Sequence, residues 1–272
     1  MNLYEAIYKR KSTRNYSKDA LPKNILENIN KKISSADTLF HDSKTEFRTT
    51  KQAEIENFLS GLIGSYGKIE APHYIVAFSN GTNKDLVNLG YTLEKIVLEI
   101  TRLELSTCWM GSHFDKEALK NEFGEVEGLK PQALLAFGMP EKGENALRPD
   151  PAEASRKDLS EILLNNAEGL PEDWSRILDA ARMAPSAMNS QPWRFDWKEK
   201  WIHMYLESGE GIINKLGTVL GNLEEMNKID AGIALRHIKI AADQHSKEIE
   251  LQKLEKKNMD DLSYIASIRR ND

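Results

Sequence analysis

Apolar positions along the chain follow two periods, which predicts helices interspersed with short buried strands. The most apolar helical pattern covers residues 85–105 and has apolar side chains on more than one face, so we expect a central helix there. Residues 230–242 predict a second central helix. Short apolar or β-branched runs predict strands at 73–78, 131–138, 193–197, 201–205, 247–251 and 262–268.

Amphipathic patterns predict further helices at 3–9, 23–35, 54–66, 116–123, 153–166, 170–183 and 211–227. Residues 36–53 are polar and poorly periodic, so no regular element is predicted for them. A segment rich in proline, glycine and asparagine at 139–152 is the best candidate boundary. It divides the chain into a first half, residues 1–150, and a second half, residues 151–272.

The two halves show the same order of elements: helix, helix, strand, central helix, strand. The matched positions, first half before second, are Leu21-Pro22 with Leu170-Pro171, Arg10-Lys11 with Arg156-Lys157, Gly90 with Gly232, and strand 134–137 with strand 264–267. Chance similarity of two amphipathic α+β stretches is the alternative explanation. A true repeat predicts a pseudo-two-fold arrangement with a composite site.

Composition favours a soluble globular protein, with 40% hydrophobic and 29% charged residues. A net charge of −5 offers no basic footprint for nucleic acid, and no apolar run reaches the roughly 18 residues of a membrane span. The N-terminus has no apolar core of a signal peptide. One cysteine suits a reducing compartment, so we expect a cytoplasmic protein.

Metal chemistry is not expected. The six histidines and the single cysteine, Cys108, are scattered and do not show the spacing of a metal site. As Cys108 has no histidine partner visible in the sequence, we expect a buried structural thiol rather than a nucleophile.

Two segments carry candidate binding chemistry. Residues 184–192 combine two prolines with short serine, asparagine and glutamine side chains, a rigid polar surface suited to a planar polar ligand. An ordinary helix-to-strand connection is the alternative. Residues 10–14 hold three cations and two hydroxyl groups, which could bind a phosphate. A solvated run of charge near the terminus is the alternative.

The halves differ in these two segments. The first half has residues 37–41 where the second has Pro185 to Asn189, and it lacks the proline and the asparagine. The second half has Asp158 in its basic element, and a carboxylate there would repel phosphate. One complete site per chain is therefore expected.

These residues resemble the nitroreductase family of flavoproteins. The resemblance is carried by RKSTR at 10–14, APSAMNSQPW at 184–193 and STCWMG at 106–111, and with the order of elements it covers most of the chain. It implies an α+β fold and FMN bound where two subunits meet. This chain resembles a tandem version, in which two degenerate copies form an intramolecular pseudo-dimer.

The resemblance also implies the residues that bind FMN. Those implied for the phosphate and ribityl group are Arg10, Lys11, Ser12 and Arg14, with Arg148 as a further phosphate-binding cation. Those implied for the isoalloxazine are Pro185, Ser186, Ala187, Met188, Asn189 and Gln191. Those implied for the other edge of the flavin are Thr107, Trp109, Met110 and Gly111.

The activity implied is that of an FMN-dependent NAD(P)H oxidoreductase. Hydride would pass in a ping-pong cycle through flavin N5 to a nitroaromatic or quinone-like acceptor, and the flavin rather than a side chain would carry the chemistry. The expected partner is a small-molecule acceptor, and the chain is expected to be a monomeric pseudo-dimer or a weak homodimer. A degenerate flavin- or ligand-binding module without turnover is one alternative, and a helix-rich interaction protein without a cofactor is another.

Overall fold

The computed structural model describes residues 1–56, 59, 69–111, 114–123, 126, 128–165, 169–207 and 223–271. Contacts within the chain divide it into two compact units, Met1–Glu153 and Ala154–Asp272. Both helices and strands are present in each unit, so the fold is mixed α+β.

The first unit is built around a central helix and an antiparallel sheet. Its elements are α1 (Leu3–Lys9), α2 (Lys23–Ser34), β1 (Thr45–Lys51), α3 (Gln52–Ile55), β2 (His73–Ser79), α4 (Asn83–Arg102), β3 (Ser106–Met110), α5 (Lys116–Phe123) and β4 (Lys130–Gly138). Asn2 begins α1 with a capping box, because it accepts from the Glu5 N–H while the Glu5 carboxylate accepts from the Asn2 N–H.

The sheet of the first unit has the strand order β1-β2-β4-β3, with every neighbouring pair antiparallel. All residues of β2 are buried, as expected for an inner strand. Most of α4 is buried as well, on more than one face, which confirms the central helix predicted from the sequence.

Within the described residues, the second unit repeats this construction with fewer helices. The first unit ends with a 3₁₀ turn (Pro151–Glu153), and the elements of the second unit are α6 (Leu159–Ile162), α7 (Glu172–Arg182), a 3₁₀ turn (Ala187–Asn189), β5 (Trp193–Trp197), β6 (Trp201–Glu207), α8 (Leu223–Gln244), β7 (Ile249–Gln252) and β8 (Leu262–Arg270). Its sheet has the order β5-β6-β8-β7, again with antiparallel pairs.

Two features recur in both units. The central helix lies between the second and third strands in the order of the chain, and the inner pair of strands carries a register shift. The shift lies between Ala77 and Phe78 in β2 and between Met204 and Tyr205 in β6. The two units therefore share strand order, helix position and an irregularity of pairing.

A side chain of each central helix also holds the loop before the first strand. In α4 the Asn88 Oδ1 accepts from the Leu39 N–H at 2.8 Å, and in α8 the Asp230 carboxylate accepts from the Ala187 N–H at 2.9 Å. Asn88 and Asp230 each stand two residues before the glycines matched in the sequence, Gly90 and Gly232. The matched position of the central helix therefore accepts a hydrogen bond from this loop in both units.

Most predicted elements are confirmed, but the sequence predicted neither β1 nor β3, and one predicted helix is wrong. β1 was not predicted, because an edge strand of polar and half-buried residues shows little apolar alternation. The predicted helix at 153–166 is wrong: α6 covers only Leu159–Ile162, since Leu163 pairs with Phe195 of β5 in a strand-like bridge. Most of the predicted helix at 54–66, and residues 211–222 of the helix predicted at 211–227, lie outside the described residues.

Two kinds of feature are absent from the described part of the chain. None of its helices combines the length and the apolar character that a bilayer crossing needs. It also holds no group of three or more His, Cys, Asp or Glu side chains placed to bind a metal ion.

Candidate functional site

The basic segment 10–14 lies beside the edge strand β3 of the first unit. Ser12 and Thr107 form a parallel β-bridge, and the Thr13 N–H donates to the Thr107 carbonyl at 3.0 Å. Two segments that the sequence analysis assigned to one ligand are thus adjacent in the first unit.

Arg148, near the C-terminal end of the first unit in sequence, lies against the same segment. Its N–H donates to the Lys9 carbonyl at 2.7 Å, and its Nη1 donates to the Tyr8 carbonyl at 3.4 Å. Arg10 and Leu147 form an antiparallel bridge. These backbone contacts fix Arg148 next to the basic segment.

The guanidinium groups of Arg10 and Arg148 are held in an environment that disfavours their charge. Arg10 is 2% exposed and Arg148 is 7% exposed. Burial lowers the pKa of Arg10, and burial followed by repulsion from Arg10 lowers the pKa of Arg148. Among the described residues, Arg10 Nε and Thr13 Oγ1 are buried and have no hydrogen-bond partner. An anion at this point would accept hydrogen bonds and offset the repulsion.

Glu94 of α4 is a site residue that the sequence analysis missed. It is buried, the Trp109 indole Nε1–H donates to it at 2.9 Å, and its charge raises the pKa of Arg10. A glutamate within the most apolar helix of the chain was the signal that could have revealed it, because buried carboxylates are rare without a cationic or hydrogen-bonding partner.

Cys108 lies in β3 between two of the implied flavin contacts. It is buried, and burial raises the pKa of its thiol, so the neutral form is favoured. This agrees with a structural thiol.

The second unit contributes the loop predicted at 184–192, and its backbone is strained. Met188, Asn189 and Gln191 have φ angles of +53°, +57° and +49°, the left-handed region that residues other than glycine rarely adopt. Each such residue costs on the order of 1 kcal/mol or more, and the cost persists only where the surroundings impose it. Met188 is 58% exposed. Strain of this kind is concentrated at functional sites.

The loop is bound by residues on both sides of it in the sequence. The Arg156 Nη1 donates to the Asn189 Oδ1 at 2.8 Å, and the Lys157 N–H donates to the Gln191 Oε1 at 2.8 Å. Asp230 holds the Ala187 N–H. The sequence analysis did not assign Asp230, Arg156 or Lys157 to the loop.

The implied residues fall into one group in each unit. Those of the first unit that are buried are Arg10, Thr107, Met110 and Arg148, and those that are partly exposed are Lys11, Ser12, Arg14, Trp109 and Gly111. In the loop of the second unit, Pro185 and Gln191 are buried, Ser186 and Ala187 are partly exposed, and Met188 and Asn189 are exposed.

Known proteins similar to this chain are nitroreductases. A family described as "Putative TM nitroreductase" matches residues 2–242. The crystal structure of a "putative nitroreductase" from Thermotoga maritima has a TM-score of 0.64 at 21% identity and covers 100% of this chain and 95% of that chain, a likeness of fold. No curated protein sequence matches the chain.

Two further solved structures align with little more than half of the chain. A nitroreductase with bound FMN from Desulfitobacterium hafniense is 20% identical, has a TM-score of 0.45 and covers 58% of this chain and 100% of its own. An FMN-dependent nitroreductase from Clostridium difficile is 20% identical, has a TM-score of 0.47 and covers 59% of this chain and 98% of its own. Because the family match spans far more than half of its residues, this chain belongs to the nitroreductase family.

Proposed function

We propose that the chain is an FMN-dependent NAD(P)H oxidoreductase of the nitroreductase type. The observation that carries the proposal is the pair of buried guanidinium groups, Arg10 and Arg148, each with a lowered pKa, beside the hydroxyl-bearing segment Ser12-Thr13. Membership in the nitroreductase family supports it.

The residues of the first unit fit the phosphate of FMN. Arg10 Nε and Thr13 Oγ1 are buried donors that have no partner among the described residues, and a phosphate has the acceptor oxygens to satisfy them. Arg10, Lys11, Ser12, Arg14 and Arg148 would hold the phosphate and the ribityl group. Trp109, oriented by Glu94, would flank the flavin together with Thr107, Met110 and Gly111.

The loop 185–191 of the second unit would line the isoalloxazine. Ser186 and Asn189 carry short polar side chains in a loop whose backbone is strained at Met188, Asn189 and Gln191, and the exposed Met188 side chain would limit what stacks on the ring. Such fixed polar groups would orient the flavin without reorganising. FMN, when bound, would supply the hydride transfer from NAD(P)H to a nitroaromatic or quinone-like acceptor, and we assign no proton transfer to a side chain.

We further propose that the two units are degenerate copies forming an intramolecular pseudo-dimer with one FMN per chain. Support comes from the common strand order, the paired register shifts, and the equivalent roles of Asn88 and Asp230. The basic segment is retained in the first unit and the loop in the second. We propose a monomer or weak homodimer in the cytoplasm.

An absorbance spectrum of the purified protein tests the proposal. We expect flavin bands, about one FMN per chain, and bleaching by NADH or NADPH under anaerobic conditions, with recovery on adding a quinone or a nitroaromatic. A colourless protein that takes up no FMN on incubation would contradict it.

A degenerate flavin-binding module without turnover is the second candidate. The observation that favours it is that the polar groups of the loop are already used within the second unit: Asn189 binds Arg156, and Gln191 binds Lys157. The deciding result is a bound FMN that neither NADH nor NADPH reduces.

A further inference from the structure

The segment Ser155–Lys157 of the second unit binds the strained loop, residues 186–191, at two points. We propose that Arg156 and Lys157 are positioning residues that hold this loop in the conformation that FMN requires. The inference rests on the proposed function, because the loop is the part of the second unit assigned to the flavin.

The first point of attachment is the Asn189 side chain. The Arg156 Nη1 donates to its Oδ1 at 2.8 Å, and its Nδ2 donates to the Ser155 carbonyl at 2.9 Å. Arg156 also reaches back to the end of α7, where its Nη2 donates to the Met183 carbonyl at 3.3 Å. One guanidinium therefore links the C-terminal end of α7 to the middle of the loop, and both polar atoms of the Asn189 amide are fixed.

The second point is Gln191, which is buried. The Lys157 N–H donates to its Oε1 at 2.8 Å, and the Lys157 Nζ approaches its carbonyl at 3.4 Å. The Gln191 Nε2 in turn donates to the Asn189 carbonyl at 3.1 Å. Because Gln191 is buried, loss of these contacts would leave polar atoms unsatisfied, so the bonds oppose any relaxation of the loop.

The loop needs such attachment because of its backbone. Met188, Asn189 and Gln191 are left-handed, and none of them is glycine. A conformation of this kind survives only where its surroundings impose it. Asp230 fixes the start of the loop through Ala187, while Arg156 and Lys157 fix its middle and its end.

The matched pairs Arg10-Lys11 and Arg156-Lys157 make different contacts in the two units. In the first unit the Arg10 Nη1 donates to the Ser12 hydroxyl at 3.4 Å, within the basic segment itself. In the second unit the matched arginine is committed to the loop. One copy of the basic pair is thus placed for an anion, and the other binds the protein itself.

Hydrogen–deuterium exchange on the whole chain tests the attachment. In Arg156→Ala we expect the amides of residues 186–191 to exchange at least about tenfold faster, the factor expected for loss of one charge-assisted hydrogen bond, with β5 and β6 unchanged. Arg176→Ala, which removes an exposed arginine of α7 bonded to Glu172, is the matched control and should leave the loop unchanged. Unchanged exchange in Arg156→Ala, or an equal increase throughout the unit, would overturn the proposal.

Arg156→Lys tests whether the loop needs the guanidinium, which bonds to both Asn189 and Met183, or only a positive charge. An ammonium group keeps the charge but does not reproduce the guanidinium fork, so we expect protection of the loop between those of Arg156→Ala and the unchanged protein. Full protection in Arg156→Lys would rule out a role for the paired guanidinium bonds to Asn189 and Met183.

FMN titration gives the link to the ligand. We expect Arg156→Ala to weaken FMN binding by about tenfold or more and Arg176→Ala to leave it unchanged. A looser loop with unchanged FMN affinity would overturn the positioning role. If the unaltered protein bound no FMN, the proposed function would fail, while the exchange experiment would still decide whether Arg156 holds the loop.

Discussion

Arg10 and Arg148 are both buried, and repulsion from Arg10 adds to burial in lowering the pKa of Arg148. Like charges in a partly desolvated environment repel, and Glu94 compensates Arg10 within the unit. The remaining excess of positive charge, together with the unsatisfied Arg10 Nε, is best balanced by a bound anion. At this scale the chemistry of the proposed site is phosphate recognition.

Arg14→Ala tests phosphate recognition directly. Loss of charge-assisted hydrogen bonds worth about 1.5–3 kcal/mol should weaken FMN binding at least about tenfold. Riboflavin has no phosphate, so its binding should change little. Fluorescence titration with both ligands measures the difference, and Lys18→Ala, an exposed cation nearby, is the control. Equal losses for FMN and riboflavin would show that Arg14 does not bind the phosphate.

Cys108 should be inert in the folded protein. Burial raises the pKa of its thiol above the usual value, so the reactive thiolate is disfavoured at pH 8. A disulfide reagent should modify it slowly in buffer and rapidly in urea. Cys108→Ala should retain FMN binding and any NAD(P)H-dependent bleaching. Rapid modification of the folded protein, or loss of FMN in the alanine variant, would contradict a structural role.

The residues of the site differ in how far the sequence reveals them. Arg10 and the loop around Asn189 belong to compact motifs whose chemistry is legible from neighbouring residues. Glu94 and Asp230 act through hydrogen bonds to segments far away in the chain, to Trp109 and Ala187. Because neither carboxylate belongs to a local sequence motif, only the fold reveals its partner.

At the level of elements, long apolar runs identify the inner strands and the central helices, whereas the edge strands β1 and β3 of the first unit have no such run. β2, β4 and the central helices were predicted because burial on both sides leaves long apolar runs. β1 has a partly exposed polar sequence, and its pairing with β2 rather than its composition defines it. An edge strand of this kind depends on backbone hydrogen bonds to its neighbour, which a local pattern does not encode.

His73 of β2 makes the stability of the first unit depend on pH. Its Nε2 accepts from the Leu21 N–H at 2.9 Å, which requires neutral imidazole, and its pKa is lowered by burial and then by Lys51. The unfolded chain therefore takes up the proton first, and stability falls as the pH drops below the ordinary histidine value of about 6.5.

Urea unfolding at pH 7.5 and pH 5.5 measures this dependence. The free energy of unfolding of the unaltered protein should be lower at pH 5.5 than at pH 7.5, and the decrease should be smaller in His73→Gln. His203, whose pKa is also lowered by burial, leaves a residual dependence in the variant. Identical losses for the two proteins would show that His73 is not responsible.

Asp158→Ser asks whether the second basic segment can be turned back into a phosphate site. We expect no second flavin, because Arg156 and Lys157 are bonded to the loop and the Asp158 N–H is bonded to Glu161 at the start of α6. Removing the carboxylate relieves repulsion but does not release these donors. The flavin-to-chain ratio should stay at about one, and a ratio of two would contradict the assignment.

At the scale of the whole molecule, the distribution of the implied residues is the main feature. A repeat of one construction would give two equal sites, yet in the second unit Arg156 and Lys157 are bonded to the loop, and among the described residues the loop with three left-handed residues, Met188, Asn189 and Gln191, occurs in the second unit. Loss of one element from each copy removes one site and keeps the other. The proposed single FMN follows from this asymmetry.

Asn189→Ala, set beside Arg14→Ala, tests whether the two units serve one ligand. Asn189 is assigned to the isoalloxazine, which FMN and riboflavin share, so its loss should weaken binding of both by similar factors of roughly tenfold. Arg14→Ala should weaken FMN alone. Asn24→Ala, an exposed asparagine of α2, is the control. Because Arg14 and Asn189 belong to different units, FMN affinity that is unchanged in either variant would rule out the shared site. Weaker binding of FMN alone in Arg14→Ala, together with weaker binding of both ligands in Asn189→Ala, would assign the phosphate to the first unit and the ring to the second.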